Sequence, residues 1–363
     1  MKKGKMDNLL FAIVIIISIF GIIMIYSASS IWAEYKFQDS LKFVKSQSLF
    51  FFISIFLCLF ISKIPCSFWK KNANKILGIC LILLILVLIP GIGTVRNGSR
   101  SWFGIGGFGI QPSEFAKIGL IIFVSKYLSN NQKDLKSIKK GVLPVLGIIF
   151  LFFGLIMLEP DFGTAMVIVL TLLSLIFISG VKISFFVKIG LLGLLGIVLL
   201  IIVAPYRMAR IVSFLNPWSD PLGSGFQIIQ SLYAIGPGGL LGQGFLNSHQ
   251  KHFYLPEPQT DFIFSIISEE FGFLGVLIVV SFFFFIFYRS IKISLKSSDL
   301  FSKFLSFGLA IGILIQATLN LAVVIGLIPV TGVTLPFFSY GGSSLLTSMI
   351  SIGIILGISR DVV

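Results

Sequence analysis

Long apolar runs recur from one end of the chain to the other, and short polar or basic stretches separate them. A helix needs about 20 apolar residues to cross the hydrocarbon core of a bilayer. The pattern therefore predicts an all-α, polytopic membrane protein with about ten transmembrane helices. The predicted spans are residues 9–28, 48–64, 75–91, 112–129, 142–158, 162–180, 183–205, 261–287, 303–328 and 342–358.

Composition supports this class, because 56% of the 363 residues are hydrophobic and 12% are charged. The net charge of +14 then reflects basic loops that fix orientation and meet anionic headgroups, not a nucleic-acid surface. Lysine and arginine clusters place the N- and C-termini in the cytoplasm. Cys58, Cys66 and Cys80 lie in or beside apolar runs and are interpreted as small core residues.

This orientation puts the segments rich in glycine, proline and polar residues on the outer side. The largest is an extracytoplasmic loop of about residues 206–260 between the seventh and eighth spans, within a single domain covering 1–363. Irregular backbone at membrane depth is tolerated only where protein or water covers it, so we expect a roofed outer cavity. ATP is absent there, and bond formation must therefore use a substrate that arrives activated.

Asp261 opens the eighth span, where an acid at the mouth of a membrane helix has a free-energy cost and suggests function. The alternative is a helix cap. Ser265 and Ser268 share its predicted helical face, which favours a polar stripe towards the bundle interior. Glu269 and Glu270 follow about 12 Å deeper, where an ionised carboxylate needs a partner or a neutral form.

A second constellation lies in QPSEFAK, residues 111–117, where Pro112 suits a first helical turn. Glu114 and Lys117 are three residues apart, so they share a face and can neutralise each other. A structural helix start is one interpretation. Because Lys117 lies a full turn inside an apolar span, we favour a cation site for a phosphate-bearing ligand.

Three other polar residues near the predicted ends of spans have two interpretations each. Arg207 and Arg210 would bind phosphate in a bidentate manner or snorkel from a helix end. Asp161 is a candidate site residue or a cap of the sixth span. Gln316 and Asn320 are expected to form interhelical hydrogen bonds.

Five segments of the chain carry a shared pattern: RNGSRSWFGIGGFGIQPSEFAK (96–117), EPDFG (159–163), NPWSDPLGSG (216–225), YLPEPQTDFIFSIISEE (254–270) and TGVTLPFFSYGGSS (331–344). Taken together, these segments resemble the SEDS family (shape, elongation, division and sporulation), and the resemblance covers essentially the whole chain. The fourth and fifth segments are more similar to the division-type members than to the elongation type.

The resemblance implies a ten-span fold, peptidoglycan glycosyltransferase activity on lipid II, and a class B penicillin-binding protein as partner. It places the catalytic aspartate at Asp261 and the important acid and lysine at Glu114 and Lys117. Many members have histidine before the Thr-Asp pair, and here Gln259 stands in that position, which weakens an imidazole mechanism. A division-site location in the cytoplasmic (inner) membrane is also implied.

The resulting hypothesis makes Asp261 a general base and Lys117 a stabiliser of the departing undecaprenyl pyrophosphate. The other expected substrate-binding residues are Gln111, Glu114, Asp161, Arg207, Arg210 and Thr260. A divalent cation (Mg or Mn) is a candidate cofactor, although the residues alone predict no metal site. The alternatives are a lipid II flippase or transporter, an elongation-type glycosyltransferase, and a non-catalytic division scaffold.

Overall fold

The computed structural model describes residues 4–96, 98–104, 109–203 and 214–361. Within these ranges the chain is mostly helical, and one short antiparallel hairpin, β1 (Thr94–Arg96) and β2 (Ser99–Trp102), precedes α4. The α-helices are α1 (Asn8–Phe37), α2 (Lys42–Ile61), α3 (Cys66–Leu88), α4 (Pro112–Asn130), α5 (Leu143–Leu158), α6 (Phe162–Ile178), α7 (Ile183–Val203), α8 (Phe226–Ile235), α9 (Ile263–Lys296), α10 (Leu300–Val324) and α11 (Gly342–Ser359).

Each predicted span coincides with one of these helices, and α8 is an additional helix inside the predicted outer loop. Among the described residues, seven helices are long and apolar enough to cross a membrane. α4 contains charged side chains, and α6 has 17 residues. α1 and α9, with 30 and 34 residues, exceed the length that a hydrocarbon core of about 30 Å requires. The polytopic all-α prediction is confirmed.

α11 is packed inside the bundle, since nearly every one of its residues is buried. It packs closely on α2, because a Cβ on Gly353 would lie 2.7 Å from the carbonyl oxygen of Cys58. The segment before α11 packs in the same way on α1, where a Cβ on Gly21 would lie 2.4 Å from the Phe337 oxygen. These contacts hold residues 331–342 against the helices that surround them.

α9 is broken, and this differs from the continuous span predicted over 261–287. Gly272 has φ +60° and ψ −156°, so the helix consists of two halves that meet at this glycine. A break inside a membrane helix frees backbone groups that lipid cannot satisfy. Main-chain groups of the outer loop satisfy several of them.

Residues 239–244 of the loop insert at the break. The N–H groups of Gln243 and Gly244 donate to the carbonyls of Glu269 (2.9 Å) and Glu270 (3.0 Å). In return, Phe273 N–H donates to the Gly239 carbonyl at 2.8 Å. The loop therefore docks onto α9 through main-chain hydrogen bonds.

Candidate active site

Glu114 and Lys117 form a buried ion pair in the first turns of α4, 6% and 8% exposed respectively. Pro112 occupies the first turn, as predicted, and the Lys117 Nζ–Glu114 Oε2 distance is 2.9 Å. Thr347 of α11 donates its hydroxyl to the same Glu114 oxygen at 2.9 Å. The predicted pairing is confirmed, and Thr347 is a partner that the sequence did not indicate.

Lys117 also donates to Gln316 Oε1 of α10 at 2.5 Å. The Gln316 amide nitrogen donates to the Thr334 carbonyl (3.1 Å) and to the Ser344 hydroxyl (3.3 Å). Gln316 thus makes more than the expected interhelical contact, since it orients the lysine. A lysine has three donors, and Lys117 uses two of them in the bonds to Glu114 and Gln316.

Gln111 and Asp161 lie beside this pair. Gln111 Nε2 donates to Asp161 Oδ2 at 2.8 Å, and Asp161 also caps α6 by accepting the Thr164 N–H at 3.0 Å. Burial raises the pKa of Asp161, the Thr164 bonds oppose that rise, and Glu114 and Lys117 act on the same carboxyl. The structure therefore brings four predicted site residues together, and Asp161 is both a cap and a member of the cluster.

Asp261 lies in the turn before α9. Its carboxylate accepts the Thr260 hydroxyl at 2.8 Å, and α9 has no side-chain cap, so the capping interpretation of Asp261 is wrong. Burial raises the pKa of Asp261, and the Glu257 charge raises it further. The residue itself is half-buried.

Asn320 and Gln316 connect the two parts of the site. Asn320 Nδ2 donates to the carbonyls of Asp261 and Val333, each at 2.7 Å. Gln316, one turn earlier on α10, holds the carbonyl of Thr334. One face of α10 therefore holds two consecutive carbonyls, those of Val333 and Thr334. On this face Gln316 also contacts Lys117, and Asn320 also contacts the Asp261 carbonyl.

Within the described residues, no lysine or arginine side chain forms an ion pair with Asp261. Lys117 acts electrostatically on Asp161, whereas the charge that acts on Asp261 is Glu257. Arg207 and Arg210, the other predicted cations, lie outside the described residues. The cluster around Lys117 and the residue Asp261 are thus two separate parts of the site, and α10 contacts both, through Gln316 and through the bond from Asn320 to the Asp261 main-chain carbonyl.

Glu159 is a residue that sequence reasoning did not single out. It follows α5, is 0% exposed, and neither carboxylate oxygen has a hydrogen-bond partner within the described part of the chain. Burial, together with Asp161, raises its pKa to about 8. Its signal was present in EPDFG, where one acid stands two residues from another.

Glu269 and Glu270 are buried, as predicted, and both have partners. Ser248 donates its hydroxyl to Glu269 at 2.6 Å, and Lys251 Nζ lies 3.1 Å from Glu270 Oε1. No group of three or more His, Cys, Asp or Glu side chains suited to a metal occurs in the ranges that the structure describes.

Comparisons with known proteins agree over the full length. A family model described as Cell cycle protein (FTSW_RODA_SPOVE) matches residues 7–362. Stage V sporulation protein E of Bacillus subtilis is 52% identical, covering 99% of this chain and 98% of the relative. A probable peptidoglycan glycosyltransferase FtsW of Trichlorobacter lovleyi is 41% identical, covering 99% and 94%.

Two solved structures share the fold. One, described as structural coordination of polymerization and crosslinking by a peptidoglycan synthase complex, has a TM-score of 0.78 and 31% identity, covering 98% of both chains. The rod shape determining protein RodA of Thermus thermophilus has a TM-score of 0.73 and 28% identity, covering 98% of this chain and 97% of that one. The chain belongs to the FtsW/RodA/SpoVE family, the SEDS family that its motifs resemble.

Proposed function

We propose that this peptidoglycan glycosyltransferase polymerises lipid II into glycan strands at the outer face of the cytoplasmic membrane during cell division. The observation that carries the proposal is the buried Glu114–Lys117 pair, which α10 connects to Asp261: Gln316 accepts from Lys117, and Asn320 donates to the main-chain carbonyl of Asp261. A cation for a diphosphate and a base for a hydroxyl are the two groups that glycosyl transfer from a pyrophosphate requires.

In this mechanism Asp261 takes the proton of the acceptor sugar 4-hydroxyl. The hydroxyl oxygen bonds to the anomeric carbon of the growing strand while the bond from that carbon to the pyrophosphate oxygen breaks. Undecaprenyl pyrophosphate leaves with the bonding electrons, and Lys117 stabilises its charge. The raised pKa of Asp261 makes this carboxylate a stronger base than an exposed aspartate.

Gln111, Asp161 and Thr260 would position the substrate, as would Glu114 through its hold on Lys117. Arg207 and Arg210 would add charge at the pyrophosphate. The partner in this proposal is a class B penicillin-binding protein, and support comes from the peptidoglycan synthase complex among the structural neighbours. The expected location is the division septum.

A second candidate is wall synthesis during sporulation, favoured by the 52% identity to stage V sporulation protein E. A fluorescent fusion separates the two roles. Signal at the mid-cell septum of growing cells supports division, whereas signal confined to the forming spore supports the second candidate.

A lipid transporter is less well supported. Transporters use broken helices whose freed backbone groups bind substrate or ions near the membrane midplane. In α9 the freed groups are bound by residues 239–244 of the protein itself. The break is therefore already occupied.

The test is polymerisation of labelled lipid II by the purified protein, resolved on a gel. We expect glycan product from the wild type and a rate lower by about 10²–10⁴-fold for Asp261→Ala, the usual contribution of a general base. Asp39→Ala, at an exposed outer turn, is the matched control and should retain activity. Movement of lipid II across the membrane without polymer would support a flippase. Absence of both polymer and lipid movement would support a scaffold.

A further inference from the structure

The first half of α9 is a short rigid unit that carries the proposed base. It runs from Ile263 to the break at Gly272, and Asp261 lies just before it. The rise along the helix from Ile263 to Glu270 is about 10 Å at 1.5 Å per residue. Because Gly272 uncouples this half from the rest of α9, its position depends on contacts at its two ends.

The end near Asp261 is held by α8 and α10. Asn320 donates to the Asp261 carbonyl at 2.7 Å. The Ser265 and Ser231 hydroxyls share a hydrogen bond of 2.7 Å, and Ser231 donates to the Val324 carbonyl at 2.6 Å. All these contacts are between uncharged groups.

The opposite end is held by a buried ion pair. Lys251 of the outer loop reaches Glu270 at 3.1 Å, and the two side chains are 3% and 0% exposed. Ser27 of α1 donates to the same Glu270 oxygen, and Lys251 also donates to the Leu246 carbonyl at 2.6 Å. The ion pair thus joins three elements: the loop, α1 and the first half of α9.

Glu269 adds neutral contacts at this end. Its carboxylate accepts the Ser248 hydroxyl at 2.6 Å and the His249 N–H at 2.7 Å. If the loop left this half-helix, Glu270 would lose Lys251 and remain as an unpaired charge in a buried site, which is strongly unfavourable. Lys251 is therefore the contact whose loss would most disturb the half-helix.

We propose that Lys251 is a positioning residue: its ion pair with Glu270 sets the placement of the half-helix that presents Asp261. The inference rests on the proposed function. Lys251 acts through Glu270, and it touches neither substrate nor the reacting atoms. Small displacements of a reacting group are costly, since a shift of about 1 Å can lower a rate about 10²-fold.

The experiment measures kcat and KM for lipid II polymerisation by the full-length protein in detergent. We expect Lys251→Met and Glu270→Gln to lower kcat by about 10–100-fold while KM for lipid II changes by less than about threefold. The exchanged pair Lys251→Glu with Glu270→Lys should recover most of the lost kcat. Lys45→Met removes an exposed outer ion pair, Lys45–Asp39 at 2.9 Å, and should stay within about twofold of wild type.

Glu270→Gln retains an acceptor for Ser27, so it reports on the charge if Lys251→Met does not fold. Wild-type polymer with kcat within twofold for both single variants would overturn the inference alone. A raised KM with unchanged kcat, or an exchanged pair no better than the singles, would also overturn it. Absence of polymer from the wild type would instead overturn the proposed function, and the inference with it.

Discussion

Lys117→Met should destabilise the protein far more than its size suggests. The substitution leaves the Glu114 carboxylate, 6% exposed, with the Thr347 hydroxyl and without its cation. It also removes the donor that Gln316 Oε1 accepts. Breaking a buried ion pair from one side costs about 3–5 kcal/mol, so we expect the free energy of unfolding to fall by that amount.

The double variant Lys117→Met with Glu114→Gln should recover much of this loss. It removes the unpaired charge while keeping an acceptor for Thr347, so only neutral hydrogen bonds are lost, at about 1–2 kcal/mol. The double variant should therefore be about 2–3 kcal/mol more stable than Lys117→Met, and the coupling free energy should exceed this difference by the cost of Glu114→Gln alone. Polymerisation should nevertheless stay lost in the double variant, because the cation for the diphosphate is missing.

The assay is equilibrium unfolding in mixed detergent micelles for the wild type, both single variants and the double variant. Lys126→Met is the matched control on α4, since Lys126 bonds to Asn74 at an exposed position; its cost should stay within about 0.5 kcal/mol. A Lys117→Met variant as stable as this control, or additive single effects, would refute the burial argument. An active double variant would refute the role of the lysine.

Three further outcomes are expected. Turnover should fall about tenfold per pH unit below the raised pKa of Asp261, as the base becomes protonated; a pH-independent rate would contradict it. Burial raises the pKa of Glu159 from 4.5 to about 8, so the folded protein holds a proton that the unfolded chain releases between those pH values. The free energy of unfolding should therefore fall by about 1.4 kcal/mol for each unit that the pH rises through this range. Glu159→Gln should abolish that slope in pH-dependent melts. Gly242→Ala places a Cβ 2.1 Å from the main-chain carbonyl oxygen of Glu270. It should be much more destabilising than Gly239→Ala, whose Cβ meets open space.

The local features of the site could be predicted from sequence. Glu114 and Lys117 pair because a spacing of three puts them on one helical face, whatever the rest of the chain does. Proline at the start of α4 and an acid at the start of α6 follow from the unsatisfied groups of any helix end. The burial of Glu269 follows from its place in an apolar run.

The partners of these residues could not be predicted in the same way. Nothing in the spacing indicates that Gln316, far along the chain, receives the Lys117 ammonium. Asp261 looked like a cap or a neighbour of cations, and the structure ties it instead to Asn320. The apolar pattern predicts a continuous span over 261–287, whereas the structure breaks the helix at Gly272, where the outer loop packs.

The sequence by itself determined which segments lie in the bilayer, because the cost of placing polar groups in hydrocarbon depends on each segment's own composition. It also determined the contacts between residues one helical turn apart. Only the tertiary structure decided that the outer loop closes the break in α9 and that Lys251 neutralises Glu270. Those choices depend on which distant segments pack together, and each buried polar group in a membrane bundle accepts a partner from any segment that reaches it.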